Sequence, residues 1–101
     1  MLIRSQNKEL LVNFNVSAGI EIEERNTKTV VTSYITGCSY LLGEYSTKAK
    51  AMKVLDMIQE AYANVELIPM AVQNIGKMFQ KAIGKAIMNK MIFQMPEEGS
   101  V

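Results

Sequence analysis

Arg4 and Arg25 are the only arginines in the chain, and a guanidinium is the side chain best shaped to hold a phosphate or carboxylate through two parallel hydrogen bonds. Arg4 opens the run Arg4-Ser5-Gln6-Asn7-Lys8, a dense row of hydrogen-bond donors at the end of an apolar segment. Ser5, Gln6 and Asn7 can donate to a base or ribose, and Tyr34 or Tyr45 can stack on a base. Together these residues would suit a small anionic ligand of the cyclic-nucleotide type, left chemically intact. The plainer alternative is a polar turn followed by tyrosines that belong to a sheet. A second basic feature is the row Lys77, Lys81 and Lys85, spaced every four residues along one side of a helix, with no acid between Pro69 and Met95. Such a row either meets phosphate or acidic protein, or simply solvates the helix.

Other chemistry is poorly supplied. The chain has no histidine, which removes the commonest general base and metal ligand and every Ser-His or Cys-His nucleophile. Glu21, Glu23 and Glu24 could be grouped as a carboxylate cluster, but alternation along a strand puts Glu21 and Glu23 on a solvated face. Gly37, Gly43, Gly76 and Gly84 stand alone and form no phosphate cradle. The single cysteine, Cys38, reads as a small apolar residue near a turn. No catalytic residue, metal site or cofactor is expected, and the chain reads as a non-enzyme.

The elements that would carry these residues divide into a strand-rich first half and a helix-rich second half, the pattern of an α+β fold. Leu2-Ile3 and the stretch from Leu10 to Phe14 read as a hairpin, with Leu10, Val12 and Phe14 on one face. Ile20 and Ile22 alternate with glutamates, Arg25-Asn26-Thr27-Lys28 reads as a turn, and the β-branched stretch Thr29 to Thr36 reads as a strand. Gly37-Cys38 then turns the chain into a strand from Tyr40 to Tyr45. Ser46 or Thr47 can cap a helix whose apolar face is Ala51, Val54, Leu55, Ile58, Ala61, Tyr62 and Val65, ending near Asn64. Pro69 suits the first turn of a second helix reaching Asn89. Met91 to Met95 has strand length, and Pro96 stops it. The expectation is an N-terminal antiparallel meander packed against two C-terminal helices with a short final strand: one domain over 1–96 and a solvated tail over 97–101.

The second helix predicts self-association. Val72, Ile75, Phe79, Ala82, Ile83, Ala86 and Ile87 spread over an arc wider than the ~100° stripe that one packed surface requires. Gly76 lies on that arc, and a close backbone contact would account for a glycine there. Several of the eight methionines, Met70, Met78, Met88, Met91 and Met95, fall in or near this segment, where a flexible thioether suits an adaptable interface. A homo-oligomer using Ile75, Gly76, Phe79, Ile83 and Ile87 is expected, with the ligand between copies because so short a chain has little room for a pocket of its own.

A length of 101 residues, 49% of them apolar and 21% charged, suits one globular core. The net charge of +1 creates no global field toward nucleic acid or anionic lipid. The opening residues are too polar for a signal peptide, and no apolar run nears the ~20 residues of a membrane span, so a cytoplasmic location is expected and a membrane partner is not.

Three blocks carry a resemblance. Ile3-Arg4-Ser5-Gln6-Asn7-Lys8 with Leu11-Val12 comes first, then Leu42-Gly43-Glu44-Tyr45-Ser46-Thr47-Lys48 running into Lys53-Val54-Leu55-Asp56-Met57-Ile58-Gln59, and finally Phe93-Gln94-Met95-Pro96-Glu97-Glu98. In this order, over about a third of the chain, they resemble the small proteins of phages, prophages and mobile elements in low-GC Gram-positive bacteria. The stretch from Ala71 to Asn89 lies outside the resemblance. It implies a cytoplasmic accessory protein and brings no reaction or catalytic residues. The first expectation is an anti-defence protein that sequesters a nucleotide-type signal at an oligomer interface. The alternative is a structural or regulatory module that binds a host or phage protein.

Overall fold

The computed structural model describes residues 1–72 and 91–101 and has an α+β architecture. Among the described residues, six strands form two sheets. In the smaller sheet, β1 (Leu2–Arg4) lies between β2 (Leu11–Asn13), antiparallel to it, and β6 (Ile92–Gln94), parallel to it. In the larger sheet, β3 (Gly19–Arg25), β4 (Lys28–Ile35) and β5 (Cys38–Tyr45) form an antiparallel meander. The single N-terminal sheet expected from sequence is therefore split. A parallel partner for β1 can only come from far along the chain, and β6 supplies it: Ile3 lies opposite Val12 on one side and Phe93 on the other.

Local chemistry explains the hairpins. Asn26 (φ 49°) and Thr36 (φ 46°) adopt left-handed backbone, and Gly37 (φ 81°) follows Thr36, so Thr36-Gly37 closes the tight turn between Ile35 and Cys38. This turn begins one residue earlier than Gly37-Cys38, because glycine is needed at its second central position. In β5 the pairing shifts. Val31 faces Gly43 and Thr32 faces Leu41, leaving Leu42 as the extra residue of a bulge. The bulge turns Leu42 into the core and leaves Leu41 exposed.

The helix α1 (Lys48–Val72) packs on β3, β4 and β5. Thr47 caps it, its Oγ1 accepting from the Lys50 amide at 3.2 Å. Ala51, Val54, Ile58 and Val65 are buried against Ile3, Val12, Val31, Leu42, Tyr45 and Met95. Each large apolar side chain buried there contributes roughly 1.5–3 kcal/mol. Leu55, Ala61 and Tyr62 flank this stripe half-buried. The helix does not end at Asn64. Val65 continues the apolar stripe with no glycine behind it, and the helical backbone runs through Pro69 to Val72. The remainder of the expected second helix lies outside the described residues.

The last five residues are tied down rather than free. Glu98–Ser100 form a 3-10 turn, Val101 packs against the core, and Glu98 bonds to the start of α1, while Glu97, Gly99 and Ser100 stay exposed. No helix among the described residues is long and apolar enough to cross a membrane.

Candidate functional site

Two clefts lie beside groups with chemical potential. The first, of about 390 Å³, is bordered by Gln6, Thr27, Lys28, Glu44, Tyr45, Ser46 and Glu98. Gln6 follows β1 and acts as a surrogate strand on the outer edge of β5. Its amide N–H donates to the Leu42 carbonyl at 2.7 Å, its Oε1 accepts from the Glu44 amide at 2.9 Å, and its Nε2 donates to the Glu44 carbonyl at 3.1 Å. The same Nε2 also reaches the Pro96 carbonyl at 3.3 Å, where the Tyr45 hydroxyl donates at 2.7 Å. Glu98 accepts from the Ser46 amide at 3.0 Å, from the Ser46 hydroxyl, and from Lys50 Nζ at 2.9 Å. These bonds form a clasp that holds both sheets, the start of α1 and the C-terminal residues together.

The clasp is poorly suited to proton chemistry. Hydrogen bonds from Ser46 and Lys50 to its carboxylate hold Glu98 down at about 2, so it is a weak base near neutrality. Burial, with the Glu98 charge nearby, pushes the Tyr45 hydroxyl up to about 12, so it keeps its proton and its bond to Pro96. Lys28 Nζ is paired with Glu44 at 3.3 Å. Among the described residues, no group of three or more Cys, Asp or Glu side chains is placed to hold a metal ion.

The second cleft, of about 430 Å³, opens between the outer edge of β3 and α1. Gly19 and Ile20 line one wall, Leu55, Ile58, Gln59 and Tyr62 the other, and Phe14 with Ser17 and Ala18 closes one end. Phe14 and Tyr62 pack as a tilted ring pair with centroids 4.8 Å apart. Ser17 is taken up inside the fold, its hydroxyl donating to the Gly19 carbonyl at 2.9 Å and lying 2.9 Å from the Ser33 hydroxyl. The lining is therefore largely apolar, in the size range of ligand and peptide sites.

No family model, curated protein or solved structure matches the chain. The function must be argued from the residues, and the candidates drawn from sequence fall in different places. Arg4 is exposed, with Nε donating to the Lys8 carbonyl at 3.1 Å, and Arg25 pairs with Glu23 at 3.0 Å at the tip of a hairpin. Ser5 is buried, its hydroxyl donating to Asn7 Oδ1 at 2.6 Å and accepting from the Leu10 amide. Tyr45 is 1% exposed, so its ring belongs to the core and offers no stacking face. Tyr34 is exposed, but it lies at the opposite end of the hairpin from Arg25. Six residues of strand separate the two ends, or about 20 Å. One subunit therefore does not gather these groups around one small molecule.

Lys77, Lys81, Lys85, Ile75, Gly76, Phe79, Ile83 and Ile87 lie outside the described residues. Of the methionines assigned to self-association, Met95 is buried in the core and Met91 is exposed. Sequence reasoning gave Pro96 only the role of stopping a strand and assigned no role to Glu98 or the second cleft. No local signal marks them, because their partners lie far away in the chain.

Proposed function

We propose that the chain is a non-catalytic binding module that works by contact with another protein, and that its working surface is the cleft between β3 and α1. The observation that carries this reading is a contrast. The polar side chains of the first cleft, Gln6, Tyr45, Ser46 and Glu98, are engaged within the fold, whereas Ile20, Leu55, Ile58 and the Phe14–Tyr62 pair line a concave apolar surface that no other described residue fills. A phage-type accessory role in the cytoplasm belongs to the same proposal, as does a second helical segment beyond Val72. Assembly into a homo-oligomer through Ile75, Gly76, Phe79, Ile83 and Ile87 is part of it too.

Signal sequestration in anti-defence is the second reading. The exposure of Arg4, Arg25 and Tyr34 favours it, with copies in an oligomer supplying groups that one subunit keeps ~20 Å apart.

Photo-crosslinking tests the first reading. A benzophenone side chain at Gln59, on the cleft rim, should give one discrete protein adduct in expressing cells, and Leu55→Arg should abolish it while the circular dichroism stays unchanged. The same probe at Ser39, on the exposed face of β5, should give none. Matching adducts from both positions would reject the cleft. Calorimetric binding of a cyclic nucleotide that weakens on Arg4→Ala or Arg25→Ala would favour sequestration instead.

A further inference from the structure

We infer that the cleft takes an extended segment of a partner protein as a fourth strand on the open edge of β3, with alternate apolar and basic side chains. The inference rests on the binding-module reading and specifies the partner for the same site. Arg25 and Lys28 flank the two-residue turn and form a hydrogen-bonded pair, and such pairs alternate along an antiparallel ladder. Arg25, Glu23 and Glu21 therefore bond to β4. The backbone N–H and C=O of Ile20, Ile22 and Glu24 point the other way, and no described residue bonds to them there. Between Ile20 and Glu24 this row of donors and acceptors runs for about 14 Å. It is a template for strand addition, and α1 stands across the cleft as a second wall.

The pleat fixes the partner's pattern. Ile20 and Ile22 share the face that packs on the core, and Ile20 lines the cleft, so the residue beside Ile20 on an added strand enters it against Leu55, Ile58 and the Phe14–Tyr62 pair while the residue beside Ile22 continues the same apolar face. Glu21 and Glu23 face the opposite way and are exposed, so the intervening residues of the added strand sit beside carboxylates. Lysine or arginine at those positions gains an opposite-charge cross-strand pair.

The same charges disfavour a second copy on this edge. Antiparallel pairing of β3 with itself about Ile22 sets Glu21 directly opposite Glu23. That register is thus disfavoured for self-pairing, whereas a basic strand meets no such repulsion, and no described residue occupies the edge.

The test uses the full chain and synthetic peptides read by calorimetry. An eight-residue alternating Val-Lys peptide should bind, whereas a block peptide of the same composition and an alternating Val-Glu peptide should bind at least tenfold more weakly. N-methylation on one alternate set of peptide amides should abolish binding, and on the other set should leave it nearly unchanged, because only one set faces β3. Glu21→Lys should weaken the Val-Lys peptide about fivefold and strengthen Val-Glu.

Equal binding by both N-methylated series would overturn strand addition while leaving the cleft as a side-chain site. A Gln59 adduct in cells without peptide binding would likewise reject this inference alone, whereas loss of both would remove the binding reading as well. A dimer that dissociates on disruption of the β3 edge would assign that edge to a second copy and reject the partner strand.

Discussion

Gly43 sits where the clasp is tightest, and replacing it with alanine has an outcome that depends on one hydroxyl group. A Cβ at this position would lie 3.1 Å from the Tyr45 Oη, 3.2 Å from its Cε2 and 3.4 Å from the Met95 Cε. The Tyr45 ring cannot easily retreat, since it is buried and its hydroxyl is anchored 2.7 Å from the Pro96 carbonyl. Forcing one carbon into such packing costs ~1–3 kcal/mol. Removing a glycine from a strand returns ~0.5–1 kcal/mol of backbone entropy. The clash is the larger effect, so Gly43→Ala should destabilise by ~1 kcal/mol, or about 4–8 °C in Tm.

Tyr45→Phe by itself should cost ~0.5–1.5 kcal/mol, toward the lower end because Gln6 Nε2 still donates to the Pro96 carbonyl at 3.3 Å. It also removes the nearest atom to the new Cβ and frees the ring to tilt. In the Tyr45→Phe background, Gly43→Ala should therefore become neutral or mildly stabilising, giving a coupling of at least ~0.5 kcal/mol. Urea unfolding of the four proteins with a common m-value measures the cycle. Additivity within ~0.3 kcal/mol, or a stabilising Gly43→Ala in the parent protein, would refute the reasoning.

Glu98 supplies a pH-dependent prediction. Its pKa is depressed from an ordinary 4.5 to about 2, so its stabilising contribution is fully present above the higher value and is lost as pH falls through the lower one. Between about pH 5 and pH 2, Tm of the parent protein should fall more steeply than that of Glu98→Gln, and parallel curves would show that the carboxylate does not hold the turn. Gln6 should tolerate neither truncation nor charge. Gln6→Ala should lose ~1–3 kcal/mol with the Glu44 and Pro96 bonds, and Gln6→Glu should lose more, because it sets an acceptor against two carbonyls; chemical denaturation that ranked the two the other way would contradict the bridging geometry.

Much of the fold could be read locally. The alternation of Ile20 and Ile22 with glutamates and the apolar stripe from Ala51 to Val65 each report a face buried at the period of their own element, and the β-branched run ending near Thr36 marks a central strand buried on both faces from Thr29 to Ser33. What could not be read depends on contacts between distant residues. The Leu42 bulge breaks the alternation in β5, and the parity that then buries Tyr45 cannot be obtained by counting along the strand. Gln6 meets Glu44 and Pro96, and Ser46 meets Glu98, at separations no sequence window spans. Arg4 and Arg25 drew attention by residue type, but a guanidinium marks a ligand site only where the fold brings partners to it. Here the fold offers the Lys8 carbonyl and Glu23.

The two edges of the larger sheet are treated differently, and that asymmetry links the fold to the proposed function. On β5, the backbone and side-chain amide of Gln6 pair with Leu42 and Glu44, so the Leu42–Glu44 end of this edge is closed by the chain itself and reinforced by the clasp at Pro96 and Glu98. On β3, no described residue does the same, and the edge carries exposed glutamates instead. Charge discourages self-pairing without satisfying the backbone, so it protects the edge while leaving it usable. An edge serving only to end a sheet would need no apolar cleft beside it. Placing α1 with Leu55, Ile58 and Tyr62 across from that edge adds a side-chain pocket to the backbone template, which is the combination strand-recognising grooves use to join affinity with sequence preference.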